Sequence, residues 1–476
     1  MLLNPKKLTP LAAALLLSGC ASLMPPTQVD SAVAPAWQAP LPHNGTVTDL
    51  TQWWQAQGDP LLVELITAAQ AVSPSIAQSL ARIEAARANQ ALARSALLPN
   101  LGAQASASRG VGQANIALAT TTQVGLQASW ELDLVGANRA VSNAALANLQ
   151  GTQAQWHDAR VSVAAEVANR YHGLSTCTQL LTLAQRDATS RTETARLTGI
   201  NAEVGFLAPA VAALARASAA EASSRVTQQR AQCDIDTKAL VALTALPEPV
   251  LRQKLALAQA ASAQTAPFSI ASVPVQVISQ RPDVFAAERD VVVASAQVGS
   301  AQAQRLPRLS LNGSIGALRV SSGGVNQDVS TWSFGPLAVS LPLFDGGQRV
   351  AAVKSAQANY AATVVAYQGK VRNAVREVEE ALVTLQSTQS RAEDTQISAQ
   401  GYNESLAATQ SRFGQGLASL VELEDARRNA LASQSAQLAL TLEHHRAWVS
   451  LYRALGGGFE PARTAKATAS PMTSAD

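Results

Sequence analysis

The stretch Leu306-Pro307-Arg308-Leu309-Ser310-Leu311-Asn312-Gly313-Ser314-Ile315-Gly316-Ala317 decides how the rest of the chain is interpreted. Before it, Pro282 and Asp283 suit the first turn of a helix, because a proline loses no hydrogen bond there. Helix-forming residues continue to Gln304, and the prolyl segment then ends the helix. From Leu309 apolar and polar residues alternate, which predicts a strand with one apolar and one polar face.

The same order of helix, proline and alternating strand occurs earlier in the chain. A helical segment that ends at Leu97 leads through Pro99 into an alternating segment from Leu101 to Ser108. Pro99 and Pro307 are separated by nearly half of the 476-residue chain. We interpret this pattern as an internal duplication.

Composition favours long helices over a compact globular core. Aromatic residues make up 4% of the chain and charged residues 14%, and both fractions are low. The formal net charge of +3 includes Lys6 and Lys7, which lie in a leader, and no polybasic run is present. Nucleic acid is therefore not expected as a partner.

The first residues have the pattern of an export signal. Lys6 and Lys7 precede an apolar run, Leu8–Leu17, that is too short to span a bilayer. Leu17-Ser18-Gly19-Cys20 resembles a bacterial lipobox, which implies cleavage before Cys20 and a lipid on its thiol. Ala21 after the cysteine fits sorting to the outer membrane. The alternative is an ordinary signal peptide with an incidental cysteine.

The duplication divides the chain into six segments. The arm is rich in proline, alanine and glutamine, and we expect Trp37, Trp53 and Trp54 to fix it to the main body. The predicted segments are a signal peptide (1–19), a lipid-anchored extended arm (20–58), a first repeat (59–246), a linker (247–274), a second repeat (275–458) and a disordered tail (459–476).

Strands long enough to cross a membrane recur in both halves. Gln123–Asp133 alternates strictly over eleven residues, the length that a tilted strand needs. A fourth strand is predicted from Thr331, with a phase shift at Gly335-Pro336 typical of a bulge. In Ala137–Leu197 and Gln348–Phe413 apolar residues recur in steps of three and four, which predicts rods of about 90 Å with coiled-coil stripes.

Four strands in one chain cannot close a barrel, and open strand edges are not tolerated in lipid. The strands therefore have to close between copies of the chain. Eight strands from a dimer would enclose only side chains, whereas twelve from a trimer would leave a lumen. The predicted fold is an internally duplicated α+β membrane protein that forms a conduit through the outer membrane and periplasm.

Motifs spread over nearly the whole chain resemble those of the outer-membrane efflux lipoproteins, the TolC-like channels that include OprM and NodT. The motifs are Trp53-Trp54 with Asp59-Pro60-Leu61, Gln280-Arg281-Pro282-Asp283-Val284 with Ala286-Ala287-Glu288, Leu306-Pro307-Arg308-Leu309-Ser310-Leu311, and Leu341-Pro342-Leu343-Phe344-Asp345-Gly346-Gly347. The resemblance implies a homotrimer in the cell outer membrane, with a twelve-stranded barrel continuous with a long periplasmic α-helical coiled-coil barrel. It also implies a periplasmic membrane-fusion adaptor and an inner-membrane pump, often of the RND type, as partners in the export of drugs and other small toxic compounds.

The resemblance also implies a gate at the start of the last helix. Val421, Asp425 and Arg428 are spaced by four and three residues, so they share one helix face. Three copies of Asp425 around an axis would favour cations. The alternative is a solvated face with an ion pair worth about 0.2–0.5 kcal/mol. The corresponding turn of the first half departs from the family, because Ala208-Pro209-Ala210-Val211 lacks its usual acidic groups.

Cys177 and Cys233 are the two remaining thiols, and the periplasm is oxidising. They lie on the outgoing and returning helices of the first hairpin, at nearly equal distances from a turn centred near Val204, which predicts a disulfide. A turn centred near Ala202 would separate them by about 9 Å along the helices, which no disulfide bridges. The two residues would then be free cysteines packed as small apolar side chains.

The sequence contains no recognisable catalytic, metal or cofactor motif. His444 and His445 are neighbours on a helix, point to different faces and form a poor metal pair, so we expect exposed helix histidines. His157 and His172 have no acidic or cysteine partner at ligand spacing, and no P-loop, nucleophile elbow or HExxH motif occurs. We predict that the protein is not an enzyme and needs no cofactor.

Three other functions fit parts of the sequence. The outer-membrane exit duct of a type I protein secretion system would share the fold. A periplasmic adaptor lipoprotein would have one hairpin between small soluble β domains, and a structural coiled-coil lipoprotein would lack the strands. The lipobox and the motifs favour the efflux channel.

Overall fold

The structure is a computed structural model that describes residues 24–29, 53–112, 115–260 and 281–459. The predicted signal peptide, Cys20, Trp37 and the tail from 460 onward lie outside the described residues. The elements, in chain order, are α1 (Trp53–Ala56), α2 (Pro60–Val72), α3 (Pro74–Ser95), β1 (Asn100–Gly112), β2 (Asn115–Leu132), α4 (Ala137–Glu203), α5 (Pro209–Thr244), α6 (Glu248–Ala260), α7 (Pro282–Ala303), β3 (Arg308–Ser322), β4 (Val325–Ser340), α8 (Gln348–Gly414) and α9 (Leu420–Ala454).

The two halves repeat one plan, as the sequence predicts. Each half has a helix, two strands, a long helix and a returning helix in the same order. The two long helices, α4 and α8, each contain 67 residues. The short helix α2 begins where Asp59-Pro60 predicts, with the Asp59 side chain accepting a hydrogen bond from the Leu62 backbone N–H at 3.1 Å.

The four strands form one antiparallel sheet in the order β1-β2-β3-β4. The predicted bulge is confirmed, because the β3–β4 register shifts opposite the cis peptide bond Gly335-Pro336. The predicted strand ends are wrong. β4 begins at Val325 rather than Thr331, β1 continues beyond Ser108 to Gly112, and β2 begins at Asn115 rather than Gln123. Ladder hydrogen bonds use only the backbone, so pairing continues where side-chain alternation stops.

The described residues fall into two compact units. One contains the sheet, with residues 24–29, 80–112, 115–153 and 285–370. In this unit Gly151 of α4 faces α7 closely, since a Cβ there would lie 3.5 Å from Arg289 Cβ.

The other unit contains most of the helical hairpins and a buried hydrophobic core, with residues 53–79, 154–260, 281–284 and 371–459. Its fully buried side chains include Leu62, Leu65, Val167, Leu240, Leu251, Leu382, Leu385 and Leu451. Trp53 and Trp54 pack against Tyr452, with ring centroids 5.6 and 4.7 Å away, as expected for residues that fix the arm.

The segment predicted as a linker contains a helix. Residues Glu248–Ala260 form α6, while 261–280 lie outside the description. Leu251 of α6 is completely buried in the helical core. The alanine- and glutamine-rich composition concealed one apolar face, on which Leu251 and Leu255 are four residues apart.

Among the described helices, no single one is long and apolar enough to cross a membrane. The pair Pro60–Val72 and Pro74–Ser95, bent by 49°, passes the test of length and composition when taken together.

Candidate functional site

The sheet has one apolar and one polar face, as the alternation predicts. Ile315 and Trp332 are cross-strand neighbours on the apolar face, with Phe334 two residues further along β4. Trp332 is 80% exposed and Phe334 83%. On the opposite face Ser314 pairs with Ser333, and their hydroxyl oxygens lie 2.8 Å apart. An exposed face of large apolar side chains backed by a hydroxyl-bearing face suits a strand between lipid and water.

The turn of the second hairpin has a tightly specified helix start. Gly416 in this turn has φ +73°. The Ser419 hydroxyl accepts from the Glu422 N–H at 3.2 Å, and the Ser419 N–H donates to the Glu422 carboxylate at 2.6 Å. This reciprocal capping box satisfies two N–H groups and fixes where α9 begins. The hydrogen bond from the Ser419 N–H also lowers the pKa of Glu422.

The turn of the first hairpin is built differently. Ala208 precedes α5 without a side-chain cap, and Pro209 occupies the first helical turn. Val204 is 62% exposed and Phe206 83%. The turn that lacks the acidic groups expected from the resemblance therefore presents apolar side chains to its surroundings.

The residues predicted to form the gate all lie on the exposed side of α9. Val421 is 59% exposed. Arg428 forms an i,i+3 ion pair with Asp425, and both side chains are more than half exposed. The predicted common face therefore exists in the single chain.

The opposite face of α9 carries a buried arginine. Arg427 is 4% exposed and lies between Leu423 and Ala430, which are also buried. Its guanidinium donates to Glu424 at 2.8 Å, to the Ser190 hydroxyl at 2.8 Å and to the Thr194 hydroxyl at 2.7 Å. This one side chain thus connects α9 to α4.

A second arginine extends the buried network to the first hairpin. Arg191 of α4 donates to Asp187 at 2.9 Å and to Ser218 of α5 at 2.6 Å, and it forms an ion pair with Glu424. The Ser218 hydroxyl also donates to Glu424, at 2.8 Å. Glu424 therefore receives hydrogen bonds from three helices.

This network was missed in the sequence analysis, although one signal was available. Arg427 occupies the same helical stripe as Leu423 and Ala430, where a charged residue needs a buried partner. Nothing in the local sequence pairs it with Ser190 or Thr194, which lie more than 230 positions away.

Cys177 of α4 and Cys233 of α5 lie opposite each other and form a disulfide, as predicted for the first hairpin. Their Sγ atoms lie 2.05 Å apart and their Cα atoms 5.6 Å apart, and both residues are buried. The Gln229 side-chain amide lies beside the pair and donates to the Cys177 backbone oxygen at 3.4 Å. α4 ends at Glu203 and α5 begins at Pro209, so Val204 lies in the turn and the two cysteines are at nearly equal distances from it.

His444 and His445 are half-buried and not the exposed helix side chains that the sequence analysis expects. His172 of α4 stacks on His445 of α9 with ring centroids 4.4 Å apart and an angle of 5°, and both are partly buried. Burial and, to a smaller extent, the neighbouring His445 together lower the pKa of His172 to about 3. His444 instead accepts from the Trp448 indole N–H at 3.0 Å and contacts Thr388 at 2.9 Å.

Neither histidine arrangement forms a metal centre. Parallel stacked rings cannot direct nitrogen lone pairs at a common point. Within the described ranges, no group of three or more histidine, cysteine, aspartate or glutamate side chains is arranged to hold a metal ion. Cys20, the predicted lipidation site, lies outside those ranges.

Comparison with known proteins gives one consistent family. The model of the outer membrane efflux protein family matches residues 65–246 and 273–457, which correspond closely to the two predicted repeats. Outer membrane protein OprJ of Pseudomonas aeruginosa is 30% identical, over 95% of this chain and 96% of its own length. The toluene efflux pump outer membrane protein TtgI of Pseudomonas putida is 29% identical, over 95% of this chain and 98% of its own.

The fold agrees with that of a solved channel. The structure of the outer-membrane channel OprN matches with a TM-score of 0.81 and 25% sequence identity, over 92% of this chain and 99% of that chain. The similarity therefore extends over both the sheet and the helical hairpins.

Proposed function

Because the chain belongs to the outer membrane efflux protein family, we propose that it is the outer-membrane channel of a tripartite pump that exports small toxic compounds. The observation that carries this proposal is the sheet, with long strands, an exposed apolar face and an uncharged polar face in its central part. TtgI is named for toluene efflux, so apolar solvents are among the compounds to test first.

The edges of the sheet support a homotrimer. β1 and β4 are its two outer strands, and neither has a second partner strand in the described part of the chain. Unpaired backbone groups in hydrocarbon cost several kcal/mol each, so the edges have to pair with other copies. Three copies would supply twelve strands and leave a lumen, whereas two would supply eight and fill it with side chains.

The hairpin turns support docking of a periplasmic membrane-fusion adaptor. Val204 and Phe206 at the first turn and Leu417 at the second are each more than 60% exposed. Apolar side chains grouped at helix turns are suited to bury against a partner. The energy for export would come from an inner-membrane pump, of the RND type by family resemblance. Lipid on Cys20 would anchor the chain in the outer membrane.

A pair of charge substitutions tests the membrane role of the sheet. Trp332→Lys places a charge on the apolar face, where it costs about 2–4 kcal/mol per copy near the bilayer centre. Ser333→Lys places the same charge on the polar face one residue away. We expect the first variant to lose membrane insertion. The second should insert, conduct in planar bilayers and shift toward anion preference.

Insertion and conductance of both variants at the level of the unaltered protein would contradict the proposed orientation of the sheet. Transport is tested in a strain that lacks the gene. Expression of the unaltered chain, but not of Trp332→Lys, should restore tolerance to toluene and to a panel of antibiotics. A channel that conducts but restores no tolerance would contradict the efflux proposal and favour protein secretion.

A further inference from the structure

Three residues near the start of the described chain, Met24-Pro25-Pro26, lie against helices α7 and α8. The Ser295 hydroxyl of α7 donates to the Pro25 carbonyl at 2.6 Å, and the Tyr360 hydroxyl of α8 donates to the Pro26 carbonyl at 2.7 Å. Proline has no backbone N–H, so its carbonyl is its only polar backbone group. Both available backbone acceptors of the proline pair are therefore satisfied by side chains of the sheet-containing unit.

Gly299 provides the space for the Met24 side chain. A Cβ at Gly299 would collide with Met24 Cγ and would lie 3.1 Å from its Sδ. Ser295 is completely buried and lies one turn before Gly299, so both belong to the same face of α7. Glycine inside a helix is destabilising relative to alanine. The close approach of Met24 supplies a packing reason for glycine at this position.

We propose that Met24–Pro26 is a docking segment that holds the lipid-bearing end of the chain beside the sheet, with Ser295, Gly299 and Tyr360 as its receiving surface. This inference rests on the proposed lipidation of Cys20. Four residues of extended chain reach at most about 14 Å, so docking at Met24 confines the lipidated thiol to that distance.

The receiving surface lies close to the strand ends. α7 ends at Ala303, about 6 Å beyond Gly299, and β3 begins at Arg308. At the same edge of the sheet the Trp130 indole donates to the Leu97 carbonyl at 3.1 Å, an arrangement suited to a membrane–water interface.

An engineered disulfide tests the contact in the full-length protein. A Cβ at Gly299 lies 3.6 Å from Met24 Cβ, within the range of disulfides. In a Cys177→Ala/Cys233→Ala background, Met24→Cys/Gly299→Cys should form the bond under mild oxidation at least 10-fold more than Met24→Cys/Ala301→Cys. Ala301 is two residues further along and faces another direction. Equal bonding of the two pairs would overturn the docking.

Limited proteolysis tests whether the Met24–Gly299 contact retains the lipid-bearing end of the chain. Cleavage by endoproteinase Asp-N before Asp30 releases residues 20–29, and the mass of this fragment reports whether Cys20 carries lipid. Gly299→Leu fills the space of Met24 and should accelerate the release at least 10-fold, whereas Ala301→Leu should leave it unchanged. Unchanged release in a folded Gly299→Leu protein would overturn the proposal.

The two measurements separate this inference from the proposed function. A fragment without lipid mass would refute the anchoring role even where the Met24–Gly299 pair bonds. Loss of conductance has no bearing on either readout, because neither depends on an open channel. A released fragment that carries lipid, together with selective bonding to residue 299, supports the docking segment as stated.

Discussion

Replacement of Glu424 by glutamine should loosen the start of α9 more than removal of the arginine beside it. Glu424 is the only carboxylate paired with Arg427 in the part of the chain that the structure describes. Glu424→Gln would leave the Arg427 guanidinium buried without a countercharge. Arg427→Met removes the buried charge itself, and Glu424 keeps its ion pair with Arg191. Glu424→Gln, which scarcely changes the shape of the side chain, should therefore destabilise the start of α9 more than Arg427→Met does.

The expected magnitudes follow from burial. Loss of one partner of a fully buried pair costs about 3–5 kcal/mol. The Glu424 side chain is 18% exposed and glutamine still accepts a hydrogen bond, so we expect about 2–3 kcal/mol. At 1.36 kcal/mol for each factor of ten, local opening becomes about 30- to 150-fold more frequent. Arg427→Met should cost about 1 kcal/mol or less, because hydrogen bonds to hydroxyl groups are lost but no charge is stranded.

Amide hydrogen exchange over the first turns of α9 in the purified full-length protein measures this opening. Asp425→Asn is the matched control, because it removes an exposed charge from the next residue and should change exchange about twofold or less. The double variant Glu424→Gln/Arg427→Met should recover most of the protection lost in Glu424→Gln. Faster exchange in Arg427→Met than in Glu424→Gln, or equal exchange in Glu424→Gln and the control, would refute the charge argument.

Four further predictions concern single features. Cys20→Ser should yield an unacylated or unprocessed precursor by intact mass, and a mature wild-type chain without lipid mass would contradict lipidation. Thiol labelling of the denatured, unreduced chain should detect neither Cys177 nor Cys233, and replacing both by alanine should cost up to about 4 kcal/mol for a loop of 56 residues. Asp425→Ala should raise single-channel conductance and weaken cation preference, and unchanged currents would contradict the gate. His172 has a pKa of about 3 in the folded chain and about 6.5 in the unfolded chain. As pH falls below 6.5 the unfolded chain therefore binds a proton that the folded chain does not, and the free energy of unfolding decreases. His172→Phe removes this group, so the variant should show a smaller fall in melting temperature between pH 7 and 4.5.

The order of elements was predictable because the two periodicities differ clearly. The strict alternation of Gln123–Asp133 has a period of two, whereas the stripes of α4 and α8 recur every three or four residues. Strand ends were not predictable in the same way. Val325–Ser330 contains mostly polar residues, but it pairs with β3 through backbone groups that carry no sequence signal.

The candidate site was predictable only where its geometry is local. The face shared by Val421, Asp425 and Arg428 follows from helix spacing. The pairing of Cys177 with Cys233 follows from their nearly equal distances, counted in residues, from the turn between their helices. The buried network depends on which helices pack together. An i,i+3 charge pair such as Glu424–Arg427 looks the same in sequence whether its face meets water or a neighbouring helix.

Substitutions at the two ion pairs of α9 report on different properties of the protein, because one pair is exposed and the other is buried. Arg428–Asp425 is solvated on both sides and contributes at most about 0.5 kcal/mol to the helix, so substitutions there scarcely disturb folding. Changes in current at these positions would therefore report on the pore. The Arg427–Glu424 pair is buried among three helices, where the loss of one charge lowers the stability of the fold several times more. A current change there would report on helix packing, so only substitutions on the exposed face can identify pore-lining residues.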